Sequence, residues 1–261
     1  VEATTLSYDD GYRITGVANT TNTALSWTLG YDSLDRSTGA AQTGTSLGYA
    51  YDSDGNRTSQ TGATVPSPLW TAGASFTYNA RGRMSSATQG ATTNYTYNAL
   101  GQMIEKSGAT TTLLMYDLAG HLIGEYTGAG TLIQETVWLG DIPVATLRPN
   151  GTGISIYYVH ADQLGAPRLV TRPADNAIMW RWDTDPFGTS APNSNPQAQG
   201  TFVYNLRFPG QYYQAETGLN YNYFRDYDPG SGRYVESDPT GLGGGVNTYA
   251  YADGNPISRR D

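Results

Sequence analysis

A short unit recurs through the first half of this 261-residue chain, and it leaves room for little but β-structure. Its clearest copy is Tyr51-Asp52-Ser53-Asp54-Gly55-Asn56-Arg57-Thr58. Related copies begin at Tyr8, Tyr31, Tyr78, Tyr97 and Tyr116, so the six tyrosines lie 23, 20, 27, 19 and 19 residues apart. A period near 20 with variable insertions means one supersecondary unit used repeatedly. The Asp or Asn after each tyrosine can accept backbone N–H bonds and open a turn, and a Gly shortly after it supplies the positive φ that closes a hairpin. Alternating stretches such as Ser75-Phe76-Thr77-Tyr78 and Asn94-Tyr95-Thr96-Tyr97 are the flanking strands. One hairpin alone is marginal, so neighbours must stack and cover one another's edges. The predicted fold is all-β.

Composition agrees. The chain holds 21 tyrosines but 5 phenylalanines, which suits sheet surfaces that are half wet, because tyrosine carries a polar tip on an apolar body. Its 32 glycines match a chain full of tight turns. The net charge of −8 comes without a Lys/Arg cluster, Arg259-Arg260 being the only adjacent basic pair, and this argues against nucleic acid as a partner. There is no cysteine, so neither disulfides nor thiolate chemistry contribute. No apolar run approaches the ~18 residues of a membrane span, and no signal peptide stands out. The pattern is already running at Val1 and stops abruptly at Asp261, as expected of a piece of something longer.

Beyond Tyr116 the period loosens. Residues 131–147 read as two strands around a Leu139-Gly140-Asp141 turn, and 154–170 as strands interrupted by a turn or short helix at His160–Gly165. Met179–Trp182 is strand-like, Asp185-Pro186-Phe187-Gly188 is a sharp turn, and the Pro/Asn-rich 189–200 is the best loop or linker candidate. Strands are expected to resume at Thr201. The final stretch, 217–261, crowds Asp-Pro turns, glycines and aromatics around Arg225, Asp238 and Asp261. No helical periodicity emerges.

These units resemble the YD repeats of the Rhs (rearrangement hot spot) family. The run YYVHADQLGAPRLVT at 157–171, DPFG at 185–188 and RFPGQYYQAETGLNYNYFRDYDPGSGRYVESDPTGLGGGVNTYAY at 207–251 resembles that family's repeat-associated core. The resemblance covers nearly the whole chain and implies two parts, a YD-repeat shell segment over 1–137 and a core over 138–261. It implies that the hairpins form part of a spiralling β-sheet cocoon, with an inward-folded C-terminal plug. A C-terminal toxin domain would sit inside the shell, severed from it by self-cleavage. Further shell sequence would precede Val1. The protein would be an effector made in the bacterial cytoplasm and exported by a delivery apparatus, with an immunity protein as partner of the toxin. No membrane contact by this segment and no cofactor are expected.

The family's cleavage pattern is an Arg ahead of two DPxGL motifs, each contributing its Asp. Asp238-Pro239-Thr240-Gly241-Leu242 matches the first in full. Asp261 stands where the second should begin, although its continuation is missing, and Arg225 matches the arginine of the R-x-Y-D-P stretch. The expected cut lies just beyond Asp261. Two carboxylates held close together cannot both ionise readily, so such a pair shares a proton; one member can activate water and the other can donate to the developing oxyanion. Arg225 would orient the pair or partly neutralise it, and Gly241 to Gly245 would let backbone come close.

Blander readings compete. On spacing alone an Asp-Pro is a turn, and Arg225 would pair with Asp226 or Asp228. His121 and His160 lack metal-ligand spacing. Asp162, Asp183 and Asp185 could line a calcium loop but lack the ligand run, and Asp52–Asn56 is better read as a repeat turn. Trp180 and Trp182 could stack a sugar but better fill the sheet interior or plug. The alternative to an autoprotease is therefore a non-catalytic scaffold that encloses cargo or binds carbohydrate.

Overall fold

The computed structural model describes residues 4–62, 74–151 and 153–261; Val1, at which the pattern is read as already running, lies outside them. The described residues form an antiparallel meander of seventeen strands, from β1 (Thr4–Tyr8) to β17 (Ala177–Arg181), each paired with the next. A second sheet of four short strands follows: β18 (Tyr212–Tyr213), β19 (Asn220–Asn222), β20 (Arg225–Asp228) and β21 (Arg233–Tyr234). Helical structure among the described residues is confined to three single turns of 3-10 helix. None is long and apolar enough to cross a membrane.

The repeat chemistry is the same from unit to unit. Asp52 Oδ1 accepts the amides of Asp54 (3.0 Å) and Asn56 (2.8 Å), while the Gly55 amide closes the turn onto the Asp52 carbonyl at 3.2 Å. Gly55 has φ +89°, a conformation that other side chains resist. The equivalent bonds recur at Asp9, Asp32, Asn79, Asn98 and Asp117. In four units the tyrosine then ties the unit to the one before. Tyr31, Tyr51, Tyr78 and Tyr97 donate their phenols to the carbonyls of Ile14, Ser37, Arg57 and Met84, at 2.6–3.0 Å. Each acceptor is the first residue of the preceding return strand. The register slips at or next to the tyrosine in these hairpins, and such bulges increase local twist, so the sheet coils.

The period continues further than the tyrosines show. Trp138 takes the aromatic place and donates its indole N–H to the Leu122 carbonyl at 3.0 Å. Asp162 rebuilds the same turn, accepting from Leu164 (2.9 Å) and Ala166 (3.0 Å), with Gly165 closing it. The interruption at His160–Gly165 is therefore a repeat turn in which alanine replaces tyrosine, and no helix forms there. Strands do not resume at Thr201. Residues 182–211 run irregularly, bridged to the sheet through Arg181 and Asn193, because their backbone groups pair across short turns and leave no ladder to extend. The 189–200 stretch is accordingly loop, fastened to the edge of β17.

The C-terminal segment packs onto the inner face of the meander. Met84, Met103, Leu114, Leu122 and Val170 from the meander share one core with Tyr204, Phe208, Leu219, Tyr221, Tyr227 and Tyr251 from the segment after it. No buried hydrophobic residue among those described precedes Ala74, so the first strands lie beyond the plug's cover. Polar ties fix its position. The Tyr212 phenol donates to Glu125 Oε2 at 2.8 Å, the Met103 amide donates to the Tyr221 phenol oxygen at 2.9 Å, and Arg57 pairs with Asp228 at 3.2 Å with both side chains buried. Removing one member of a buried ion pair strands the other charge in the core. Asp228→Ala is expected to destabilise the fold by about 3–5 kcal/mol, whereas Tyr97→Phe, which loses one phenol bond, should cost about 1 kcal/mol. Denaturant unfolding of the two variants beside wild type checks both values.

Candidate functional site

Arg225, Asp238 and Asp261 converge. A tight turn at Tyr223 (φ +56°) reverses the chain from β19 into β20 and places Arg225 at the strand's first position. Its guanidinium points away from Asp226 and Asp228. Nη1 lies 3.1 Å from Asp238 Oδ2, and Nη2 lies 3.1 Å from Asp261 Oδ2. Nη1 also donates to the Thr248 carbonyl at 3.2 Å, and the guanidinium plane sits over the Tyr234 ring at 3.7 Å. Side-chain exposure is 11% for Arg225, 16% for Asp238 and 34% for Asp261, so the cluster is recessed yet open on the Asp261 side.

The local sequence explains how Asp238 is held. Its Oδ1 accepts from the Thr240 amide (2.8 Å) and hydroxyl (2.5 Å), the Asp-Pro-Thr turn closing on its own carboxylate. Burial alone would push this carboxyl up, but the two Thr240 bonds and the Arg225 charge outweigh it and hold Asp238 below the usual carboxylate range. One guanidinium thus lies against both carboxylates. Gly244 lies against the same group, and a Cβ there would meet Asp238 Oδ2 at 2.8 Å.

Sequence reasoning overlooked Tyr234. Its phenol accepts from Asn222 Nδ2 at 2.5 Å and hydrogen-bonds Asp261; burial and that carboxylate push the phenol up, so it stays protonated. Thr240 was equally unremarked, although a Thr two residues after a turn-forming Asp signals this bond. The other candidates serve the fold. His121 is held between Asp117 (2.9 Å) and Asp141 (3.2 Å) and stacks on Trp138, and His160 contacts Thr171. Asp162 and Asp185 cap their own turns, and Asp183 pairs with Arg181. Among the described residues no group of three potential ligands is placed to hold a metal. Trp180 and Trp182 are each 1% exposed, so neither presents a face to a sugar.

The repeat chemistry and the plugged sheet together define a YD-repeat shell. The family model for the Teneurin YD-shell matches residues 1–135, more than half of the chain, and the chain belongs to that family. Among curated proteins it is 43% identical over 106 residues to toxin protein Tse5 of Pseudomonas aeruginosa, covering 41% of this chain and 8% of that protein. It is 33% identical over 135 residues to the probable deoxyribonuclease RhsB of Dickeya dadantii, covering 51% of this chain and 9% of the relative. This is a Rhs/YD-repeat shell segment, and it spans less than a tenth of either relative's length. A crystal structure of TcdB2-TccC3-Cdc42 shares the fold, with a TM-score of 0.58 at 19% identity, over 100% of this chain and 17% of that one.

Thr240→Val removes one charge-assisted hydrogen bond from Asp238. Its carboxyl should then titrate higher than in wild type, measured by carbon NMR of the aspartate side chain.

Proposed function

We propose that residues 138–261 are the core of a toxin-enclosing shell and that Arg225, Asp238 and Asp261 cut the chain once, just beyond Asp261. The shell of residues 1–137, with further shell sequence before it, would then release a C-terminal toxin held inside. The observation that carries this reading is one guanidinium bridging two carboxylates that are 23 residues apart in sequence. Asp261 also lines a cavity of about 270 Å³ walled by Leu206, Phe208 and Trp138, which suits an apolar side chain from the segment to be cut.

In this mechanism Asp238, held ionised, takes a proton as water adds to the scissile carbonyl. Arg225 supplies hydrogen bonds to the oxyanion that develops, while the Tyr234 phenol holds Asp261 in place. The C–N bond then breaks as the proton taken up by Asp238 is passed by way of Asp261 to the leaving amine, which returns Asp238 to its ionised form. Because enzyme and substrate are one chain, each molecule turns over once. Export, a delivery apparatus and an immunity protein belong to the same reading, which relatives named as toxins support.

The test is the intact mass of the full-length protein. Wild type should yield two fragments with the break a few residues past Asp261. Asp238→Asn and Asp261→Asn should each slow cleavage by at least ~10²-fold. Cleavage that depends on protein concentration, or that persists in both variants, overturns the reading, and a single uncut species in wild type leaves a passive container.

A further inference from the structure

A second acidic pair lies directly behind this cluster. Asp226 follows Arg225, and Glu236 precedes Asp238 by two residues; both side chains are buried, at 2% exposure. Glu236 Oε2 accepts the Asp226 amide at 2.7 Å, and the Val235 amide donates to the Asp226 carbonyl at 2.9 Å, so these contacts join the strand carrying Arg225 to the segment carrying Asp238. Asp226 Oδ1 and Glu236 Oε1 have no hydrogen-bond partner. Two ionised carboxylates in such a place would be desolvated and mutually repelling.

The surroundings do little to neutralise them. From the shell, Tyr78, Tyr95 and Tyr97 face the pair, and from the plug Tyr221; all four phenols are pushed up chiefly by burial and stay uncharged. Arg83 is the shell cation that acts on both carboxylates, and it donates to the Phe224 carbonyl at 2.5 Å. Glu216, paired with Lys106 at 2.8 Å, also faces Asp226. Arg57, on the adjoining strand, is engaged with Asp228, and its amide donates to the Val235 carbonyl.

We propose that Asp226 and Glu236 hold a proton between them and act as a proton-dependent latch that positions Arg225 against Asp238. With the proton present, one carboxyl is neutral and the two strands stay joined. Without it, two negative charges in the core force the strands apart and dismantle the cluster in front of them. Neither residue touches the reacting atoms; both are positioning residues. The consequence for self-cleavage rests on the function proposed above, while the latch itself does not.

The direction of the pH effect follows. Burial pushes Asp226 up to about 7 and drives Glu236 well above the usual carboxylate range. Groups raised in the folded state stabilise it fully at pH values below their unfolded-state range, and that stabilisation is lost as pH rises through the folded values. The plug should therefore loosen on the alkaline side of neutrality.

Two measurements on the full-length protein test this, using wild type, Glu236→Gln and Asp226→Asn. Thermal melting from about pH 6 to about pH 9 should show wild type losing stability, with Glu236→Gln, permanently neutral and nearly isosteric, losing markedly less. Cleavage, started by diluting denatured chain into the same buffers, should slow about tenfold or more in wild type at the alkaline end and stay nearly level in Glu236→Gln. Parallel melting profiles in wild type and both variants overturn the latch. Divergent melting profiles with no cleavage in any version uphold the latch and overturn the self-cleavage reading instead.

Discussion

Four hairpins among the described residues are each held by the next tyrosine reaching back to them. A two-stranded hairpin is marginal in water, and burying a phenol without a partner costs more than leaving it exposed. In these units the repeat meets both conditions with one bond, the phenols of Tyr31, Tyr51, Tyr78 and Tyr97 each donating to the first carbonyl of the preceding return strand. The bulge beside the tyrosine fits the same arrangement, since it turns the strand where the bond is made. Stacking and coiling are thereby products of one local geometry. Trp138 fills the role with an indole N–H, so the requirement is an aromatic donor of the right reach rather than tyrosine itself.

A coiled sheet built this way has an inner face that needs cover, and the C-terminal segment supplies it with large aromatics tipped by polar groups. Tyr212 and Tyr221 bond shell groups directly, and the Arg57–Asp228 pair crosses the same boundary. The plug is held by directional polar contacts as much as by area, so its placement is specific. That specificity brings Asp238, on a turn, and Asp261, at the tail, to one guanidinium.

Charge is the governing constraint there. Three acidic groups, Asp238, Glu236 and Asp226, fall within a dozen residues of one another, and two of them are fully enclosed. Arg225 serves the open pair and Arg83 faces the enclosed one. The two acidic pairs differ in environment: hydrogen-bond donors hold Asp238 low, whereas burial lifts Asp226 and Glu236. Neighbouring carboxyl groups are thereby pushed in opposite directions on and just beyond one small sheet.

The all-β fold, the repeat and its turn chemistry were legible in the sequence because they are local: an Asp folds onto amides two and four residues away, and a Gly permits the turn. The resemblance to Rhs cores marked Arg225, Asp238 and Asp261, and the structure brings those three together. The Asp162 unit stayed hidden because alanine stands where tyrosine was sought, and irregular backbone at 201–211 replaced an expected strand. Only tertiary structure decided which partner Arg225 takes, since Asp226 and Asp228 are nearer in sequence but point into the core. It alone revealed Tyr234 beneath the guanidinium and the enclosed pair behind it. Periodicity records contacts that each unit makes with itself and its neighbour; burial, and the proton affinities that follow from it, depend on what a distant part of the chain lays on top.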